Sequence, residues 1–301
     1  MTARLIGIDW GTSSFRAWRM DAAGRVLDSL DTGPGILAAG QEPGGFPGAL
    51  ERAVGPWLGR GVPVIASGMI TSRNGWVETP YLPLPLDAAA LAGALVRHRA
   101  RLGDLHFVCG AVDGADGPAP DVMRGEETEI IGHLAAAGHD QAQGLFVLPG
   151  THSKWAQVRN GRLAGFRSVM TGEVFALLRD RSILGRLAVP GPFDAQAFMR
   201  GLDAGRAQGP LLARIFAARS LALLERLAPA QIADYLSGLL IGDEVARMAP
   251  PPQVPVMIIG RGDLAERYRI ALSQAGGAAR IAPPGMARQG LWTIARKAGI
   301  V

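Results

Sequence analysis

The chain of 301 residues has one cysteine, Cys109, and two lysines, Lys154 and Lys297. A lone cysteine excludes an intramolecular disulfide and suits a reducing compartment, so the cytoplasm is the expected location. No apolar run reaches the length of about 18 residues that a membrane helix needs, and no membrane association is expected. The N-terminus passes straight into a strand pattern, without the basic and apolar regions of a secretory leader. His98, His106, His133 and His139 lack the spacing of metal ligands and receive no role. The net charge is +5 and the isoelectric point 10.1, but the arginines are scattered rather than blocked. That distribution argues against a nucleic-acid partner and suits small anions such as ATP or a sugar acid.

What is present is a repeated hairpin. Leu5 to Trp10 is apolar apart from Asp9, as a buried strand should be. Gly11-Thr12-Ser13-Ser14 is a turn rich in hydroxyls and backbone N–H groups, and Phe15 to Met20 returns as a second strand. Ala22-Ala23-Gly24 then leads into a third strand, Arg25 to Ser29. Leu145 to Trp155 repeats the pattern, with Gly150-Thr151-His152-Ser153 answering Gly11-Thr12-Ser13-Ser14. Asn160-Gly161 is a type I′ signal, and Gly161-Arg162 matches Gly24-Arg25. Such turns can cradle phosphate with backbone amides, beside a carboxylate that holds Mg²⁺ through water. Two of them, in two halves, predict two related domains facing a shared cleft and one polyphosphate, most simply ATP.

Between and after the hairpins, the strand Val62 to Ala66 ends at Ser67-Gly68-Met69 and opens a polar loop, 70–78. Ala88 to Arg101 reads as helix by composition, and Leu105 to Gly110 as a buried strand. Glu126, Glu127 and Glu129 sit at the start of a helix reaching Ala137, where the dipole alone favours them. A helix begins at Thr171-Gly172-Glu173, and 180–236 is expected to be largely helical. Gln231 to Met248 reads as a helix interrupted by Gly238 and Gly242, closed by Pro250-Pro251-Pro252. The strand Val254 to Ile259 meets Gly260-Arg261-Gly262-Asp263 and a helix, a turn suited to a nucleotide. A terminal helix, Arg288 to Ala298, is expected to pack on the first domain.

Phosphoryl transfer needs phosphate contacts, charge neutralisation and an acceptor hydroxyl held in line. Gly11, Thr12, Ser13, Gly150, Thr151, His152, Ser153 and Lys154 are the phosphate candidates, and Gly260, Arg261 and Gly262 the nucleoside-side candidates. For His152 an ordinary polar turn residue is the competing reading, and Lys154 on its strand could equally face solvent. Asp9 is the Mg²⁺ candidate. The base is Glu126 or Glu127, which sequence does not separate. Arg73, Asn74 and Trp76, with Met69, Arg124 and Glu173, are the acceptor candidates, because an arginine suits a carboxylate through two parallel hydrogen bonds. The competing reading is a surface arginine at 73 and a core tryptophan at 76.

Asp9-Trp10-Gly11-Thr12, Gly125-Glu126-Glu127, Pro149-Gly150-Thr151-His152-Ser153 and Gly260-Arg261-Gly262 stand in the order of first phosphate, connecting, second phosphate and adenosine motifs. In this the chain resembles the actin–hexokinase ATPase superfamily. More closely it resembles the 2-dehydro-3-deoxygalactonokinase family. The carrying stretches include Ser67-Gly68-Met69-Ile70, Met123-Arg124-Gly125-Glu126-Glu127-Thr128, Pro149 to Trp155, Met170-Thr171-Gly172-Glu173 and Gly238-Leu239-Leu240-Ile241-Gly242. The resemblance implies an α/β fold of two actin/hexokinase-like (ribonuclease H-like) domains, each a mixed five-stranded sheet flanked by helices, around an ATP cleft. The expected domains are 1–130, joined by 286–301, and 131–285. The implied reaction is Mg²⁺-dependent phosphorylation of the 6-hydroxyl of 2-dehydro-3-deoxy-D-galactonate by ATP, in galactonate breakdown. No sequence signal reads out the oligomeric state, and a homodimer is the working expectation. Two departures stand out: the superfamily's usual catalytic aspartate is replaced by Glu126-Glu127, and the second turn has Leu148-Pro149 where the first has Asp9. The competing functions are a kinase for 2-dehydro-3-deoxy-D-gluconate, an acceptor-free ATP hydrolase, and a non-catalytic sugar-sensing regulator. The last would bring a DNA-binding helix-turn-helix before the first strand.

Overall fold

The computed structural model describes residues 2–59, 61–101, 103–138 and 143–301; His139 falls outside them. Leu5, Ile6, Ile8 and Trp10 are all buried, so β1 (Leu5–Trp10) is covered on both faces, as a central strand must be. It pairs antiparallel with β2 (Phe15–Met20), and β2 with β3 (Val26–Leu30). Two short helices follow, α1 (Ile36–Ala39) and α2 (Gly45–Val54). β4 (Val64–Ser67) lies parallel to β1. After β5 (Tyr81–Pro83) and α3 (Ala88–Gly93) come β6 (Val96–Ala100), β7 (Gly103–Phe107), β8 (Gly110–Asp113), β9 (Asp121–Met123) and α4 (Glu126–Ala137). The second half runs β10 (Gly144–Leu148), β11 (Ser153–Arg159), β12 (Arg162–Val169), α5 (Thr171–Arg181), α6 (Ala195–Arg206), α7 (Leu211–Ile215), α8 (Ala217–Leu223) and α9 (Ile232–Met248). It closes with β13 (Val256–Ile258), α10 (Gly262–Gln274), β14 (Ala279–Ile281) and α11 (Met286–Lys297).

The first sheet has the order β3-β2-β1-β4-β7-β6 and the second β12-β11-β10-β13-β14. Strand for strand, the second order repeats the first five positions of the first. β10, β13 and β14 are parallel, as β1, β4 and β7 are. The repeated hairpin of the sequence is therefore the visible part of a repeated sheet, and the α/β class of mixed sheets flanked by helices is the one observed. The first sheet has six strands rather than the implied five, because β6 adds to its edge. A small third sheet holds β5, β8 and β9.

The chain divides into two compact units. Unit 1 comprises the chain to Gln143 with Gln157–Phe166 and Pro283–Val301; unit 2 comprises Gly144–Ala156 and Arg167–Ala282. The core of unit 1 gathers Ile6, Ile8, Trp10, Phe15, Leu50, Val64 and Phe107. In unit 2, Val147, Trp155, Ile258 and Tyr268 pack together, and a second cluster lies around Leu236 and Leu239. No helix among the described residues is long and apolar enough to cross a membrane.

Two expectations are corrected. The helix expected over 88–101 ends at Gly93, and Val96–Ala100 is a strand. Arg97 and Arg99 are exposed while Val96, His98 and Ala100 are half-buried. That alternation has the strand period of two, which alanine content hid. Nor is α9 interrupted at Gly238 and Gly242. These glycines face α6: a Cβ on Gly238 would lie 2.1 Å from the Phe198 carbonyl oxygen, and one on Gly201 of α6 2.2 Å from that of Tyr235. They are close-approach residues between helices, not breaks.

Candidate functional site

In unit 1, β1 and β4 end side by side, with Asp9 opposite Ser67. The chain then bends at Gly68, with φ of 92°. α4 starts after Gly125, with φ of 110°. A Cβ on Gly68 would lie 2.9 Å from the Trp10 carbonyl oxygen and 3.1 Å from Asp9 Oδ1; one on Gly125 would lie 3.1 Å from Gly68 Cα. Glycine thus lets three backbones meet at the carboxyl ends of parallel strands, the edge where open α/β sheets bind ligands.

Polar side chains gather at that edge. Arg16 Nε donates to Asp9 Oδ2 at 2.8 Å, and Nη2 reaches the same oxygen and Glu129 Oε1, the latter at 3.4 Å. Burial, then the neighbouring Asp9 charge, pushes the Glu129 carboxyl up to about 8, although Arg16 opposes the shift. Glu127 is buried and turned back on its own helix start: Oε2 accepts from Gly125 N at 2.7 Å and Oε1 from Thr128 Oγ1 at 2.9 Å. Burial and the adjacent Glu126 push it up to about 7. Glu126 is half-buried, and its Oε2 accepts from Arg124 N at 3.0 Å. Gly11 N closes the first turn on Ser14 O at 2.9 Å, leaving Thr12 and Ser13 exposed.

The acceptor candidates separate. Arg73 is 87% exposed, with Glu78 at 3.6 Å, and Asn74 is exposed beside it. Trp76 is half-buried, its ring edge-on to Phe107 and His98, and with Met69 it packs against the core of unit 1. Arg124 is buried. Its Nη1 donates to Thr71 Oγ1 and Thr79 Oγ1 at 2.7 and 2.5 Å, its Nη2 to Thr79 O at 2.9 Å, and its guanidinium lies 4.2 Å from the Tyr81 ring centroid. Most of its donors are spent on holding 71–81 to the start of α4.

In unit 2 the second turn abuts the N-terminus of α5. Glu173 N donates to Thr151 O at 2.8 Å, and a Cβ on Gly172 would lie 2.2 Å from Gly150 O. Thr151 and His152 are exposed, and His152 Nε2 pairs with the Glu173 carboxylate. Amides, a helix N-terminus and an imidazole in one place suit an anion. Gly260 follows β13 beside this turn, where a Cβ would lie 3.4 Å from Pro149 Cδ; Arg261 and Gly262 are exposed at the start of α10. Ser153 is fully buried with its hydroxyl 2.7 Å from Tyr268 OH, and Lys154 is buried with Nζ 2.5 Å from Ser168 Oγ. Neither presents its polar end to the turn's exposed side.

Sequence reasoning passed over Arg16 and Glu244. Arg16 carried a signal, a cation on a strand otherwise apolar at Phe15 and Ala17. Glu244 carried none, because its partners come from three separate elements. Among the described residues no group of three or more His, Cys, Asp or Glu side chains could hold a metal ion. Mg²⁺ in phosphoryl transfer keeps several waters and takes one or two carboxylates plus substrate phosphates. Asp9 suits that use, since Arg16 occupies Oδ2 and Oδ1 lies by the glycine bend.

A family model described as 2-keto-3-deoxy-galactonokinase matches residues 9–294. The chain is 34% identical over 279 residues to the 2-dehydro-3-deoxygalactonokinase of Escherichia coli (strain K12), covering 92% of this chain and 91% of that protein. It superposes with a TM-score of 0.87 on a crystal structure of a candidate 2-dehydro-3-deoxygalactonokinase from Sinorhizobium meliloti, at 34% identity and over 97% and 96% of the two chains. The activator of 2-hydroxyisocaproyl-CoA dehydratase from Clostridium difficile, solved with ADPNP, is similar in fold alone, with a TM-score of 0.50 at 13% identity over 98% and 96% of the chains.

Proposed function

The chain belongs to the 2-keto-3-deoxy-galactonokinase family, and from that premise we propose that it transfers the γ-phosphoryl group of ATP to the 6-hydroxyl of 2-dehydro-3-deoxy-D-galactonate. It is an ATP-dependent phosphotransferase of galactonate breakdown. The observation that carries the assignment of roles is the convergence of Asp9, Glu126 and Glu129 on the glycine-lined strand edge of unit 1.

In this reading the turn 149–152 and the N-terminus of α5 bind the ATP phosphates, with His152 as a donor aligned by Glu173. Asp9, with Thr12 and Ser13 in the turn that follows it, would hold Mg²⁺, and the ion would neutralise phosphate charge. Glu126 is the base, because Glu127 spends both oxygens on its helix start. Glu126 takes the proton of the 6-hydroxyl as the O6–P bond forms and the bond from γ-phosphorus to ADP breaks. Arg73 recognises the acceptor carboxylate: its guanidinium is exposed and loosely paired, whereas that of Arg124 is committed.

The test is coupled ADP release with Mg²⁺-ATP and a panel of 2-dehydro-3-deoxy-D-galactonate, its gluconate epimer, galactonate and glucose. Turnover on the galactonate derivative should exceed that on the epimer. Equal ATP hydrolysis with and without sugar acid, or turnover with neither 2-oxo acid, overturns the proposal.

A further inference from the structure

Glu244, near the end of α9, is 3% exposed, and its carboxylate is enclosed by donors from three elements. Trp155 Nε1 of β11 donates to Oε1 at 2.7 Å. Tyr268 OH of α10 donates to Oε2 at 2.7 Å, and Thr171 Oγ1, at the start of α5, donates to the same oxygen. With Tyr268 donating to Glu244, the hydroxyl of Ser153 donates to Tyr268 at 2.7 Å. With Glu244 ionised, the chain of bonds runs in one direction, from Ser153 through Tyr268 to its carboxylate; burial pushes the Glu244 carboxyl up, and the three donors oppose that shift.

These partners frame the second turn on both sides. Ser153 and Trp155 begin β11 directly after it. Thr171 precedes Gly172 and Glu173, whose backbone abuts Gly150 and Thr151. A carboxyl group buried this deeply costs stability unless several bonds hold it, and here they tie the turn's exit strand to the helix N-terminus beside it.

We propose that Glu244 is a positioning residue for nucleotide binding: its carboxylate sets the spacing and orientation of the turn 149–152 against the N-terminus of α5, and so the affinity for ATP phosphates. The proposal rests on the reading that this turn holds ATP. Glu244→Gln is the informative change, because it keeps shape and removes one acceptor. Trp155 Nε1 can only donate, so the new amide oxygen must face it. The amide nitrogen then faces Thr171 and Tyr268, whose hydroxyls must reverse, and the bond to Ser153 reverses with them.

The experiment measures kcat, KM for ATP and for the sugar acid, the affinity for AMP-PNP by calorimetry, and the thermal midpoint. Glu244→Gln should raise KM for ATP and weaken AMP-PNP binding by about tenfold, while KM for the sugar acid changes less than twofold. Tyr268→Phe should act in the same direction more weakly, and it serves as the test if Glu244→Gln does not fold. Unchanged ATP affinity in the folded variant, or equal changes in both KM values alongside a lowered midpoint, overturns the proposal. Gly150→Val separates it from the underlying reading. A Cβ there meets only His152 O, at 3.9 Å, so the first added carbon has room. Unchanged AMP-PNP binding in Gly150→Val removes the turn from the nucleotide site, and this proposal with it. Weakened binding in Gly150→Val, with none in Glu244→Gln, removes Glu244 alone.

Discussion

Two adjacent glutamates show how much a single side chain's surroundings decide. Successive residues on a helix point about 100° apart, and at the start of α4 that difference turns Glu127 inward and leaves Glu126 half-buried. Glu126→Gln should lower kcat by about 10²–10⁴-fold, the usual worth of a positioned base, with AMP-PNP binding retained. Glu127→Gln should keep kcat within about tenfold of wild type; the reverse pattern in a coupled assay would exchange the two roles. Glu127 also carries a pH signature. Its folded pKa, about 7, lies above its ordinary 4.5, so between those values the folded protein holds a proton that the unfolded chain has released. Stability from this group is therefore present at low pH and falls as pH rises from 4.5 towards 7. Urea unfolding at a series of pH values should show a shallower fall in Glu127→Gln than in wild type. The two arginines that the sequence offers for the acceptor separate in the same way: Arg73→Ala should raise KM for the sugar acid without lowering the thermal midpoint. Arg124→Leu should lower the midpoint, because Thr71 and Thr79 lose their buried partner.

Helix pairs in this molecule approach through glycine. In unit 1 a Cβ on Gly132 of α4 would lie 1.9 Å from Met286 O, and one on Gly290 of α11 1.9 Å from Thr128 O. Helix propensity favours alanine over glycine by about 1 kcal/mol, but overpacking at such contacts costs about 1–3 kcal/mol and displaces backbone rather than a flexible side-chain end. Gly132→Ala should thus destabilise the protein. Gly93→Ala, at the end of α3 with nothing within 4 Å of the new Cβ, should be neutral or stabilising by up to about 1 kcal/mol. Denaturant midpoints of the two variants moving together would contradict this account. The same geometry explains why Gly238 and Gly242 read as helix breaks: their partners, Phe198 and Leu202, lie about forty residues away in sequence, beyond any local pattern.

At the scale of the whole chain, the proposed mechanism assigns Mg²⁺ to the chemistry and apolar packing to the stability of each unit. No metal-ligating cluster exists among the described residues, and the units rest on apolar cores. Chelation by EDTA should abolish ADP release while leaving the thermal midpoint of the ATP-free protein unchanged. A midpoint that falls with EDTA would point to a structural ion. Mg²⁺-ATP should raise the midpoint by mass action, and Gly150→Val should blunt that rise.

The repeated hairpin, the Asn160-Gly161 turn with φ of 52° and 71°, the family, and the set of residue types from which the site is drawn are all legible in the amino-acid sequence. These are local or motif-level properties, carried by residues a few positions apart. Which of these side chains can act was set by contacts made in three dimensions. The fold committed Arg124 to Thr71 and Thr79, buried Ser153 and Lys154, turned Glu127 onto Gly125, and enclosed Glu244 between β11, α5 and α10. The cost of burying a polar group is set by its partners, and for Arg124 and Glu244 the fold brings those partners from positions that no local window contains.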